Sequence, residues 1–204
     1  MKLSALLVAS CAFAAVVPIH ARAQSAASKP TTITFTMVVS AGAAKCLPKA
    51  TASVVDHTGP VEDLTVFVSG LPPNTDFDFF IIQVPTAPFG LAWYQGDIQT
   101  NKSGKGVGRF VGRFSSETFI VSLGAIPSVD EFPSPPAVLP QGAGVAVDPV
   151  QIYHLGLWFN NASDAVKAGC PGTATTFNGV HNAGIQVLNT SNFPNDAGPL
   201  IGLK

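Results

Sequence analysis

From residue 31 onward the chain is cut into short stretches in which apolar and polar side chains alternate, each closed by glycine, proline or asparagine. Ile33, Phe35, Met37 and Val39 alternate with Thr32, Thr34 and Thr36. Leu64, Val66 and Val68 alternate with Thr65, Phe67 and Ser69, and Gly70-Leu71-Pro72-Pro73-Asn74 then turns the chain sharply. A period of two sends successive side chains to opposite faces of a strand, so each stretch reads as a half-buried strand. Further strands are expected at 51–55, 77–81, 91–99, 107–114, 118–123, 152–159 and 184–188. Asn101-Lys102-Ser103-Gly104 has the polar, glycine-ended pattern of a hairpin turn. Only Ser163–Ala168 predicts a helix, with Ser163 or Asn161 as its cap and Gly169 as its stop. This pattern predicts an all-β, antiparallel sandwich or barrel with one short helix.

The charge balance narrows the function classes. Charged residues make up 11% of the chain and the formal net charge is −1. A nucleic-acid binder needs a basic surplus, so no nucleic-acid partner is expected. A disordered chain needs few apolar residues, and here 47% are hydrophobic. A coiled coil would need Glu, Lys and Leu at heptad spacing.

Met1–Ala23 reads as a signal peptide. Lys2 gives the positive start, Leu3–Val17 is largely apolar, and Ala21-Arg22-Ala23 offers small residues at the cleavage positions. Pro18 and His20 close the apolar run before it reaches the length of a membrane span, and no later stretch is long enough either. Val8-Ala9-Ser10-Cys11 also resembles a lipoprotein box, which would place a lipid on Cys11. Cleavage after Ala23 leaves Lys+Arg at 9, from 11, against 12 Asp+Glu, a net charge of −3. Residues 24–204 then form a single domain, secreted or periplasmic, with two cysteines, Cys46 and Cys170. In an exported chain these two are expected to form a structural disulfide closing a loop of about 125 residues. Two buried thiols or a metal pair are the alternatives.

The run Val-Ser-Gly-Leu-Pro-Pro-Asn-Thr-Asp-Phe-Asp-Phe at 68–79 resembles the E–F turn of fibronectin type III domains. Leu71, Pro73, Thr75 and Phe77 match that family's spacing, with Phe77 where its tyrosine stands. The likeness covers residues 66–82 and implies an immunoglobulin-like β-sandwich, here with long loops. It implies no activity. The segment from Trp158 to Pro194 is similar to exported bacterial proteins of uncharacterised role.

Gly108-Arg109-Phe110-Val111-Gly112-Arg113-Phe114 repeats Gly-Arg-Phe four residues apart. In a strand Phe110 and Phe114 share the core face with the two glycines, and Arg109, Val111 and Arg113 share the solvated face. Residues 124–150 carry six prolines, Pro127, Pro133, Pro135, Pro136, Pro140 and Pro149, and read as one long loop.

Hydrolase elbows, zinc-protease motifs and complete phosphate loops are absent, and no cofactor is expected. His57, His154 and His181 could converge as a metal site with Asp56, or one could serve a hydrolase triad; their spacing equally suits three unrelated histidines. Asp76, Asp78, Gln95 and Asp97 could frame a polar rim or a Ca²⁺ site, or simply line strand faces. Asn101, Asn161 and Asn189 begin glycosylation sequons, which matter only in a eukaryotic secretory pathway. Trp93, Tyr94, Tyr153 and Trp158 are the ligand-binding candidates. Alternation sends Trp93 and Tyr94 to opposite faces, and Tyr153 and Trp158 likewise, so at least one of each pair should point outward or toward a loop. Exposed indoles and phenols suit a glycan or an envelope protein. The sequence thus leads to an exported, non-enzymatic β-sandwich module with a binding or structural role, with a histidine-based metalloprotein or hydrolase as the alternative.

Overall fold

The computed structural model describes residues 31–59, 61–90, 92–114, 118–119, 150–151, 153–176 and 182–203. The strands are β1 (Thr32–Val39), β2 (Thr51–His57), β3 (Glu62–Ser69), β4 (Asp76–Ile82), β5 (Ala92–Gln99), β6 (Gly106–Gly112), β7 (Thr118–Phe119), β8 (Val150–Gln151), β9 (His154–Phe159), β10 (Thr175–Thr176), β11 (Asn182–Ala183) and β12 (Gln186–Asn189). Helix α1 (Ala162–Lys167) follows β9, and a 3-10 turn (Pro199–Leu203) ends the fold. The expected all-β, antiparallel class is what forms. The Pro-rich 124–150 segment lies outside the described residues apart from Val150.

Eight strands make one antiparallel sheet in the order β5-β4-β9-β12-β1-β2-β3-β6. It has two four-stranded halves, joined where β1 changes partner. Thr32–Met37 pair with β2, whereas Val38 and Val39 pair with Asn189 and Leu188 of β12. The outer strands β5 and β6 are consecutive in the chain and meet at a tight turn. There Asn101 N–H donates to Lys105 O at 2.8 Å, and Asn101 Oδ1 accepts from Ser103 N–H at 2.9 Å. The sheet therefore curls nearly into a barrel. Glycines on β6 let the seam close: a β-carbon at Gly108 would stand 2.7 Å from the Ile98 side chain of β5.

The inward side chains fill the barrel. Phe79 stacks on Phe110 with ring centroids 4.9 Å apart, and Phe77 meets Phe159 at 5.0 Å. Phe110 and Phe114 are buried and Val111 is exposed, as the Gly-Arg-Phe repeat predicts. Burying a side chain of this size contributes about 1.5–3 kcal/mol. The two halves differ on their outer faces. β4 and β9 are buried on both sides, and a second apolar cluster of Phe80, Ile82, Trp158 and Ala183, with Phe89, lies outside the barrel wall. The 83–90 loop covers this half, held by Val84 N–H to Phe89 O at 3.1 Å and by Gln186 Nε2 to Pro85 O at 3.0 Å. The outer face of β1, β2, β3 and β6 has no such cover among the described residues.

Asn161 caps α1: its Oδ1 accepts from Asp164 N–H at 2.9 Å, and Gly169 ends the helix at φ +76°. Cys46, in the β1–β2 connection, is joined to Cys170, just past α1, with Cα atoms 5.3 Å apart. Among the described residues no helix is long and apolar enough to cross a membrane.

Candidate functional site

The aromatic candidates separate by position. Trp93 turns inward opposite Ile81 and its ring lies 6.3 Å from Phe114, while Tyr94 turns outward and stays 46% exposed. The alternation rule holds for this pair. For the other pair neither side chain reaches the surface: Tyr153 is buried in the core and Trp158 is fully buried. The reason is that β9 is covered on both faces, so an outward side chain there meets a second apolar layer. Trp158 meets Phe80 edge-on at 5.3 Å and Phe89 at 5.1 Å, and Phe80 in turn lies 5.4 Å from Tyr94. Tyr94 is thus the exposed end of an aromatic row whose other members are structural. Its hydroxyl donates to Asp97 Oδ1 at 2.7 Å. Burial, that hydrogen bond and the charges of Asp97 and Asp78 push the phenol well above its ordinary pKa, so it stays protonated.

Two of the three candidate histidines, His57 and His154, are among the described residues, and each is hydrogen-bonded to a threonine. His154 is buried at the start of β9. Its Nδ1 lies 2.9 Å from Thr190 Oγ1, and its Nε2 lies 3.1 Å from both Pro194 O and Asn195 O. Carbonyls only accept, so Nε2–H donates toward Pro194 O and Asn195 O, while Nδ1 shares a hydrogen bond with the Thr190 hydroxyl. The ring is a clamp on the 190–195 turn. His57 stands exposed at the end of β2, with Nδ1 2.7 Å from Thr32 Oγ1. His181 lies outside the described residues. Among the described residues no three of His, Cys, Asp and Glu are grouped so as to hold a metal ion.

The acidic candidates divide likewise. Asp78 is buried on the covered face, opposite Trp158 in the ladder, and Asp97 serves Tyr94. Asp56 points into the barrel, where among the described residues no side chain hydrogen-bonds either carboxylate oxygen. Burial, and then repulsion from Glu62 and Asp63, push its pKa from 3.8 up to about 7, while the His57 backbone N–H pulls weakly the other way.

The open face of β1, β2, β3 and β6 is a second surface, with the candidate His57 at its edge beside Thr32. Phe67 and Val107 sit opposite each other across β3 and β6, 47% and 52% exposed, and Val111 lies further along β6 at 70%. Thr32, Thr34 and Thr36 of β1 and Thr51 of β2 extend the face with hydroxyls, and its charges are Asp63 and Arg109. The signal was legible: Phe67 occupies a polar position in the alternation of β3, where a large apolar side chain must face outward. No family model matches the chain, and neither a curated protein nor a solved structure shows significant similarity to it.

Proposed function

We propose that the chain is an exported, non-enzymatic binding module that holds its ligand on the open face of β1, β2, β3 and β6. The carrying observation is the asymmetry of the two halves. One outer face is sealed by the 83–90 loop and a second apolar cluster, while the other leaves Phe67, Val107 and Val111 exposed among hydroxyls. An exposed ring flanked by hydroxyls and few charges suits a neutral glycan, which offers apolar ring faces and hydroxyl edges. Export is supported by the Met1–Ala23 pattern and by the Cys46–Cys170 pair, which persists in oxidising compartments. The same reading takes the curled sheet as a relative of the immunoglobulin-like sandwich. Its support is that β3 and β4 lie in opposite halves, as the strands flanking the E–F turn do in that architecture.

The test is a glycan and envelope-protein binding screen with the purified chain, repeated with Phe67→Ser and Val107→Ser. Binding that both substitutions weaken supports the reading. Binding indifferent to them, or consistent silence, overturns it. The alternative, a metalloprotein or hydrolase built on His57, His154 or His181, gains little from His154, whose two nitrogens already hold the 190–195 turn. Elemental analysis decides its metal branch, since stoichiometric metal would favour it over the binding module.

A further inference from the structure

Asp56 is a charged residue type placed among hydrocarbon. Its side chain is fully buried, and among the described residues no side chain hydrogen-bonds either oxygen. A buried carboxylate without partners is costly, and the group takes up a proton to avoid that cost. Its place in the ladder explains the isolation. β2 turns Ala52, Val54 and Asp56 inward, and Asp56 pairs with Ile33 of β1 and Leu64 of β3, which bring only hydrocarbon. The charged groups acting on it are both acidic and both on β3: Glu62, itself buried, and Asp63. β6 places Gly112 opposite Glu62, with Arg113 exposed just beyond the strand. The 3-10 turn at Pro199–Leu203, which approaches Ile33 through Gly202, carries no charged side chain. His57, next on β2, faces outward to Thr32. Among the described residues no third ligand completes a metal shell here. A proton is the ligand that the Asp56 carboxyl can take.

We propose that Asp56, with Glu62 beside it, is a proton-binding latch that holds the paired ends of β2 and β3 against the barrel. With the proton on Asp56, the strand ends pack over a neutral interior. When the proton leaves, the buried negative charge faces Glu62, and the strand ends separate to let water reach it. The direction follows from linkage. The open form titrates near the ordinary value of 3.8 and the closed form near 7. The open fraction therefore rises about tenfold per pH unit between those values and levels off above the upper one.

The experiment is a carbon-detected NMR titration of the side-chain carboxyls of the purified chain, run alongside amide hydrogen exchange at Val55, Asp56, His57, Asp63 and Leu64. The expected result is an Asp56 midpoint near 7. Exchange at these amides, corrected for its intrinsic pH dependence, should rise about tenfold per unit up to that midpoint and then level off. Glu62→Gln should lower the Asp56 midpoint, and Asp56→Asn should abolish the pH dependence of exchange. An Asp56 midpoint near the ordinary carboxylate value overturns the proposal. So does exchange that ignores the Asp56 titration, or a midpoint unmoved by Glu62→Gln. The wild-type titration decides the matter even if a variant fails to fold.

Discussion

The indole of Trp158 lies over Gly156, where a β-carbon would overlap the ring. The two residues are adjacent on the outer face of β9, and only a missing side chain lets the ring lie flat along its own strand. Gly156→Ala should destabilise the fold by about 1–3 kcal/mol through overpacking. In a Trp158→Ala background, itself costing about 3–5 kcal/mol, most of the alanine penalty should vanish. Urea unfolding of the four proteins of this cycle measures the coupling, and additive penalties would refute the contact.

The same strand carries a polar counterpart. Thr190 Oγ1 serves both His154 Nδ1 and the Leu155 N–H, the latter at 3.1 Å. Thr190→Val keeps the shape and removes both hydrogen bonds, which should cost about 1–3 kcal/mol each at most. Binding through Phe67 and Val107 should persist, because the turn packs on β1, through Phe193 on Phe35 and Asn192 on Thr36, and not on β3 or β6. Loss of binding with full stability would show that the histidine has a role beyond the clamp.

Much of this was legible in the sequence because alternation reports which side of a strand is buried. The repeat at 108–114 correctly placed Phe110 and Phe114 inside and Val111 outside. Asn161 and Gly169 marked the ends of α1. Alternation turned Trp158 outward, toward Phe89 of the 83–90 loop, but did not reveal that this face is covered. It distinguishes two faces of a strand but does not say whether the second face meets water or another layer. Nothing local reveals that the 83–90 loop folds back over β4 and β9, since that depends on Gln186 reaching Pro85 from about a hundred residues away. For the same reason Asp56 read as a polar residue near a histidine rather than as a carboxyl inside the barrel. Its interior position comes from the register of β2 against β1 and β3.

The Cys46–Cys170 link joins residues 124 positions apart, fastening the β1–β2 connection to the end of α1. In the chain-entropy account a loop of this length contributes up to about 4–5 kcal/mol by restricting the unfolded chain. Reduction, or the double change Cys46→Ser and Cys170→Ser, should lower the urea midpoint while leaving far-ultraviolet circular dichroism of the folded state β-rich. An unchanged midpoint would mean that the bridge restrains nothing the core does not already restrain.

Global stability should carry the signature of Asp56. Its folded-state pKa of about 7 lies above the ordinary 3.8, so the folded chain holds a proton that the unfolded chain has released. Its contribution is fully present below the lower value and is lost as pH rises through the upper one. In between, the unfolding free energy should fall by about 1.4 kcal/mol per pH unit from this group alone. Asp56→Asn supplies a neutral side chain of the same size, and subtracting its pH profile from that of the wild type cancels the other titrating groups. The variant should match or fall slightly below the wild type at pH about 4 and exceed it by a few kcal/mol at pH about 8. Urea unfolding at those two conditions decides the sign. A wild type that holds its advantage in alkaline solution would mean that the carboxylate gains a stabilising partner that its place between Ile33 and Leu64 does not provide.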